Sequence, residues 1–207
     1  MILGVRDLEA AARRLYEEYG LASVAGGRHL GHGTGNRIVP LGPDYLELLA
    51  VVDREEAANS LLGRTVSAQL ADGDRFLGLC LRTDDIDREA ARLELGPRTM
   101  SRRRPDGREL VWRLAGLESA LPPRSLPFFI EWRVPDTLHP GREIAAHRVS
   151  PRGIAWVEVG GDFRELTDWV GGTSLALRSV PGPPGVRAVG IRTVEGGTTL
   201  RHGLELS

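Results

Sequence analysis

Hydrophobic residues along the chain switch between strand-like and helical spacing, and each switch marks an element. Ile2 to Val5 is a continuous apolar run that predicts a short buried strand. Beyond Asp7, apolar Leu8, Ala11, Ala12, Leu15 and Tyr19 return at helical spacing, with Asp7 as N-cap and Gly20 as the stop. A glycine-rich loop from Gly26 to Gly35 follows, then strands Asn36 to Leu41 and Tyr45 to Val51 joined by the turn Gly42-Pro43-Asp44. With Leu21 to Ala25 pairing as a further strand, the unit reads β-α-β-β-β. Residues 54 to 71 predict a connecting helix.

The pattern then restarts. Leu77 to Leu81 predicts a strand, Asp84 or Asp85 caps a helix lined by Ile86, Ala90 and Leu93, and Gly96 ends it. Strands at Arg98 to Arg102 and Arg108 to Ala115 flank the turn Pro105-Asp106-Gly107, and Phe128 to Val134 supplies the fourth. A weaker third copy has a strand Ile154 to Val159, a helix Asp162 to Val170, and strands Ser174 to Arg178, Val186 to Thr193 and Thr198 to Leu204. The near-even spacing of the caps Asp7, Asp85 and Asp162 marks an internal repeat. The expected fold class is α+β: tandem β-α-β-β-β modules over residues 1–134 (1–72 and 73–134), with a third, divergent β-α-β-β module over 150–207 packed on them. Residues 135 to 150, entered through several prolines, read equally well as a flexible linker and as a loop closing over a cavity.

Composition narrows the function classes. The 207 residues are 41% hydrophobic and 27% charged, with a formal net charge of −1 and both signs interspersed, so no global field draws nucleic acid or an anionic membrane. Neither is expected as a partner. The single cysteine, Cys80, excludes an intrachain disulfide and a cysteine-cluster metal site, and its apolar strand predicts a buried, inert thiol. No apolar run is long enough to span a bilayer and the first residues lack the regions of a signal peptide, so the expected location is the cytoplasm.

Two strands carry a carboxylate where burial is costly. YLELLAV places Glu47, and FFIEW places Glu131, in the middle of apolar sequence, so each glutamate must face solvent, a partner or a site.

The tandem units, LGVRDLEAA at the start, GGRHLGHGTGNRIVPLG ahead of YLELLAV, and PFFIEWRVPDTLHPG in the second unit together resemble the vicinal oxygen chelate superfamily, in its glyoxalase-like branch. The resemblance implies that two modules pair edge to edge into a half-barrel around a cavity. It also implies a divalent metal commonly held by a His or Gln on each module's first strand and a Glu on each last strand. On that pattern Glu47 and Glu131 point into one cavity, as metal ligands or as catalytic carboxylates. The first-strand ligands have no counterpart: one would fall just before Met1 and the other falls on Gly78. One divalent ion and a metal-free site both stay open. Without a cation, repulsion between the two carboxylates would raise the pKa of one and make an acid and base pair.

The resemblance further assigns the glycine-rich segment to the cavity lining, which makes His29, Thr34 and Asn36 the expected contacts of a polar ligand. Trp132 is the expected aromatic wall, and His139 in LHPG the residue closing the mouth. The implied activity is that of a small-molecule enzyme of bacterial cytoplasm, of lyase, isomerase or dioxygenase type. The other class implied is a non-catalytic, resistance-type protein that sequesters its ligand. An odd third module leaves strand edges that need a partner, so a homodimer is expected.

Overall fold

The computed structural model describes residues 1–103 and 107–201. The expected turn at Pro105-Asp106 and the end of the last expected strand, at Leu204, lie outside the described residues. The first module comprises β1 (Ile2–Gly4), α1 (Leu8–Tyr19), β2 (Val24–His29), β3 (Thr34–Pro40), β4 (Tyr45–Val51), α2 (Arg54–Ala58) and α3 (Leu61–Gln69). The Asp7 carboxylate accepts from the amides of Glu9 and Ala10, both at 2.9 Å, and Gly20 closes the helix at φ 70°, where a side chain would be strained. After β5 (Arg75–Gly78), the second module runs β6 (Cys80–Arg82), α4 (Ile86–Arg92), β7 (Arg98–Arg103), β8 (Glu109–Ala115), α5 (Leu117–Ala120) and β9 (Phe128–Trp132).

The two modules share one strand order. In the first sheet the order is β2-β3-β4-β1-β5 and in the second it is β6-β9-β8-β7, so each first strand lies beside and parallel to the last strand of its module. The segment 75–82 joins them: β5 runs antiparallel to β1, and past Leu79 the same chain becomes β6 and pairs with β9. The outer strands β2 and β7 approach each other on the far side. This is the half-barrel that the family resemblance implied, with its apolar back covered by α1 and α4.

Three elements differ from the sequence reading. The glycine-rich segment Gly26 to Gly35 is a β-hairpin rather than a loop, with a bulge between Ala25 and Arg28. The expected helix over 54–71 is two helices, because Ser60 breaks the run and caps the second by accepting from the Gly63 amide at 2.8 Å. The expected strand 77–81 is divided between two sheets at Leu79.

The third unit holds β10 (Pro151–Gly160), α6 (Phe163–Val170), β11 (Ala176–Ser179), β12 (Gly185–Thr193) and β13 (Gly196–Arg201). Its elements follow in the predicted succession, but its sheet order is β11-β10-β12-β13, with the first strand inside the sheet and parallel to its immediate successor. Val157, Val189, Ile191 and Leu200 enter the same apolar core as Leu15, Leu48, Ile86 and Phe129. Trp169 donates its indole N–H to the Pro127 carbonyl at 2.7 Å, while Arg92 of α4 donates to the Asp168 and Trp169 carbonyls at the end of α6. Those carbonyls carry the negative end of the helix dipole, so a guanidinium there is favourable.

Residues 135–150 form a strap docked on the first module. The Gly42 amide donates to the Gly141 carbonyl (3.0 Å), the Arg148 amide to Gly20 (2.8 Å) and the Ala22 amide to His147 Nδ1 (3.0 Å); the Arg148 guanidinium donates to the Tyr16 and Glu17 carbonyls. A Cβ at Gly141 would lie 2.4 Å from the Asp44 carbonyl oxygen, so the strap approaches too closely for any other residue.

Burial lowers the pKa of both strap histidines, His139 to about 4. A histidine held neutral in the folded chain still binds its proton near 6.5 when unfolded. Stability is therefore expected to be full above pH 6.5, to fall as pH drops from 6.5 towards 4, and to lose nothing further to His139 below that. The His139 share is on the order of 3 kcal/mol. Urea midpoints measured across this window should slope less steeply in His139→Asn than in the parent; parallel slopes would contradict the assignment.

Candidate functional site

The concave side of the half-barrel encloses a cavity of about 130 Å³. Its centre is set by two strand pairings. Ile2 lies opposite Glu47 and Cys80 opposite Phe128, and all four residues line the cavity. Along β4 the odd positions Tyr45, Glu47 and Leu49 face inward while Leu46, Leu48 and Ala50 enter the core. Along β9 the even positions face inward: Phe128, Ile130 and Trp132.

Glu131 is therefore on the other face. It is buried against α4 and the second sheet, with Arg133 Nη2 at 2.9 Å and Arg113 Nη1 at 3.9 Å from its Oε2; Arg113 also binds Asp87 through two 2.7 Å hydrogen bonds. The expectation that Glu47 and Glu131 share a cavity is corrected on this point, and the repulsion expected between them does not arise. With Leu3 matched to Leu81, Leu48 matches Phe129 and Glu47 matches Phe128. Glu131 stands three residues further on, and an odd offset puts a strand side chain on the opposite face.

Glu47 is half-buried and tightly held. Asn36 Nδ2 donates to its Oε1 at 2.7 Å, and His29 Nε2 lies 3.8 Å from the same oxygen. The hairpin glycines allow this. The Gly27 amide donates to Asn36 Oδ1 at 2.8 Å, and a Cβ on Gly26 would fall 1.9 Å from that same oxygen. The bulge thus exists to seat one side chain. Thr34 does not reach the cavity; its buried hydroxyl lies 3.0 Å from His29 Nδ1 and fixes that ring.

Aromatic rings form the opposite wall. Trp132 packs against Trp112 (centroids 5.4 Å apart) and edge-on to Tyr45 (6.4 Å). His139 does not line the cavity. It is buried behind the wall, edge-on to both Tyr45 (5.6 Å) and Trp132 (5.7 Å), with Nδ1 accepting from the Gly141 amide. Only its neighbour Pro140 reaches the lining. Residues not selected from the sequence also line the cavity, among them His32, Cys80, Trp112 and Phe128. For His32 a signal was present, since it stands three residues from His29 in one hairpin turn.

The donor set does not fit the divalent metal that the family pattern implies. Of the ligand positions in that pattern that fall on described residues, only Glu47 presents a donor to the cavity, since Gly78 has no side chain and Glu131 faces away, and the nearby Cys80 thiol, whose pKa burial pushes up to about 12, stays protonated. Among the described residues no group of three or more His, Cys, Asp or Glu side chains converges as a metal site. Hard cations require several oxygen ligands, and zinc-like ions require deprotonated thiols or imidazoles in number.

The family model of the glyoxalase-like domain matches residues 1–171. The chain belongs to the glyoxalase-like domain family. The resemblance to the glyoxalase-like branch is borne out with it. A structure described as a hypothetical protein from Staphylococcus aureus is similar over 94% of this chain and 90% of that one, at 17% identity and a TM-score of 0.72, which establishes the shared fold. Methylmalonyl-CoA epimerase from Mycobacterium tuberculosis matches 63% of this chain and 83% of its own at 18% identity and a TM-score of 0.44. The Streptomyces coelicolor epimerase in complex with 2-nitronate-propionyl-CoA matches 64% and 94% at 16% identity and a TM-score of 0.46. Curated proteins gave no match. No described helix of this glyoxalase-like chain is long and apolar enough to cross a membrane.

If Gly26 serves to seat Asn36, then Gly26→Ala should cost roughly 1–3 kcal/mol in urea unfolding, the range of a forced overpacking. A neutral substitution would show that the bulge has slack.

Proposed function

We propose that the cavity binds a small, largely apolar molecule and that Glu47 acts on it as a general base without a metal, in isomerase- or lyase-type chemistry. The observation that carries this reading is one carboxylate, the only one among the described residues that lines the cavity, presented to aromatic walls and held by Asn36 at 2.7 Å with His29 beside it. A positioned base of this kind removes a proton from carbon next to a carbonyl, the electron pair passing into an enolate; returning the proton to either face, or expelling a neighbouring group, gives isomerisation or elimination. Asn36 keeps the carboxylate aimed, and Thr34 keeps His29 oriented. Glu131, neutralised by arginines on the far face, has no part in the step.

A second reading, ligand sequestration, is favoured by the wall of Trp112, Trp132, Tyr45 and Phe128, which offers contact area without chemistry. Isotope exchange separates the two. Under the enzyme reading the protein in heavy water should catalyse deuterium uptake at the acidic carbons of acetylacetone or phenylacetone. Glu47→Gln should lose about 10²–10⁴-fold of that rate, while Glu131→Gln, compared after correction for its stability, retains it. Thermal stabilisation by the same ketones, undiminished in Glu47→Gln and without exchange in the parent, would instead establish sequestration.

A further inference from the structure

His32 is a polar cavity residue that the reading above leaves without a task. It lines the cavity from the β2–β3 turn, three residues past His29 at the end of β2. That turn is fastened on every side. Gly33, at φ 64°, accepts from the amides of Val52 and Asp53 at 2.9 and 3.0 Å, and a Cβ there would meet the Ala57 nitrogen at 2.2 Å. A Cβ on Gly63 would lie 2.5 Å from the His32 carbonyl oxygen, to which the Ser60 hydroxyl donates at 3.4 Å. The Gly31 amide donates to Glu56 at 2.5 Å, and Arg28 bridges Asp53 and Glu56 at 3.1 Å each. Two close glycine approaches hold one exposed turn rigid against α2 and α3.

The ring itself is asymmetric in its surroundings. His32 Nδ1 is sealed from solvent and has no hydrogen-bond partner, whereas the residue as a whole is only half-buried, so the accessible edge is the one carrying Nε2. A neutral imidazole places its one proton on either nitrogen. Sealing an N–H without an acceptor costs more than sealing a lone pair, since orphaned buried donors are the rarer case. The proton therefore belongs on Nε2, at the open edge.

Building on the base role of Glu47, we infer that His32 Nε2–H is the electrophile of this site, donating a hydrogen bond to the carbonyl oxygen of the substrate as Glu47 takes the neighbouring carbon-bound proton. The C–H bond breaks, its pair forms the C=C bond of the enolate, and the carbonyl π pair moves to oxygen, where the Nε2–H hydrogen bond strengthens without transferring its proton. Glu47 returns its proton to carbon, and the balance closes with no co-reactant. The substrate class that follows is a small ketone, ester or thioester whose acidic carbon is adjacent to a carbonyl, with any apolar or aromatic remainder against Trp112 and Trp132. A preorganised donor aimed where charge develops is the larger part of such catalysis.

Two measurements on the intact chain test this. Histidine-selective nitrogen NMR of the free protein, assigned with His32→Gln, should show His32 as the Nε2–H tautomer; an Nδ1–H tautomer overturns the inference whatever the activity. Exchange into acetylacetone and phenylacetone should then fall about 10²–10³-fold in kcat for His32→Gln, with KM changed less than roughly threefold. Exchange at the parental rate in a folded His32→Gln, with Glu47→Gln inactive, overturns the role of His32 alone. No exchange by the parent protein on either ketone overturns the base role of Glu47 and this inference with it.

Discussion

Parallel pairing of β1 with β4 and of β6 with β9, combined with the strict alternation of strand side chains, fixes which residues meet at the centre of the half-barrel. Those two registers bring Ile2, Glu47, Cys80 and Phe128 together and send Ala50 and Glu131 to the other face. Segment 75–82 passes from one sheet to the other at Leu79, so neither register can slip without moving every side chain between core and cavity. The chemistry open to the protein descends from this. A cavity centred on one carboxylate, two hydrocarbon side chains and a protonated thiol suits proton transfer or apolar binding better than chelation.

Around that centre the chain invests in rigidity. Gly26 and Gly27 form the bulge that seats Asn36, Thr34 fixes His29, and Gly33 and Gly63 let the histidine turn press onto α2 and α3. On the opposite side the docked strap holds His139 behind Tyr45 and Trp132, so the aromatic wall is backed by a buried, neutral ring. The third unit stiffens the second module through Trp169 and Arg92 and, among the described residues, contributes none to the cavity lining.

Much of this is legible in the sequence because local chemistry agrees with the fold. Asp7, Asp85 and Asp162 cap the helices that follow them, and the alternation in YLELLAV puts Glu47 inward. The same alternation contains the warning about Glu131, since it and Trp132 are neighbours on one strand and cannot both face one cavity. Motif likeness between the two glutamates hides a three-residue offset that only the pairing with β6 reveals. The glycine-rich hairpin reads as a loop because glycine lowers strand propensity, while its cause, room for Asn36, is a contact ten residues away. The sheet order of the third unit depends on long-range pairing, to which element succession is blind.

A crystal structure of the protein soaked with acetylacetone tests the central claim most directly. The account predicts one molecule within the aromatic walls, its central carbon against the Glu47 carboxylate, an oxygen towards His32, and Glu131 outside the cavity. A divalent cation bound by Glu47 and chelated by both oxygens of the ligand, or Glu131 turned into the cavity wall, would contradict it.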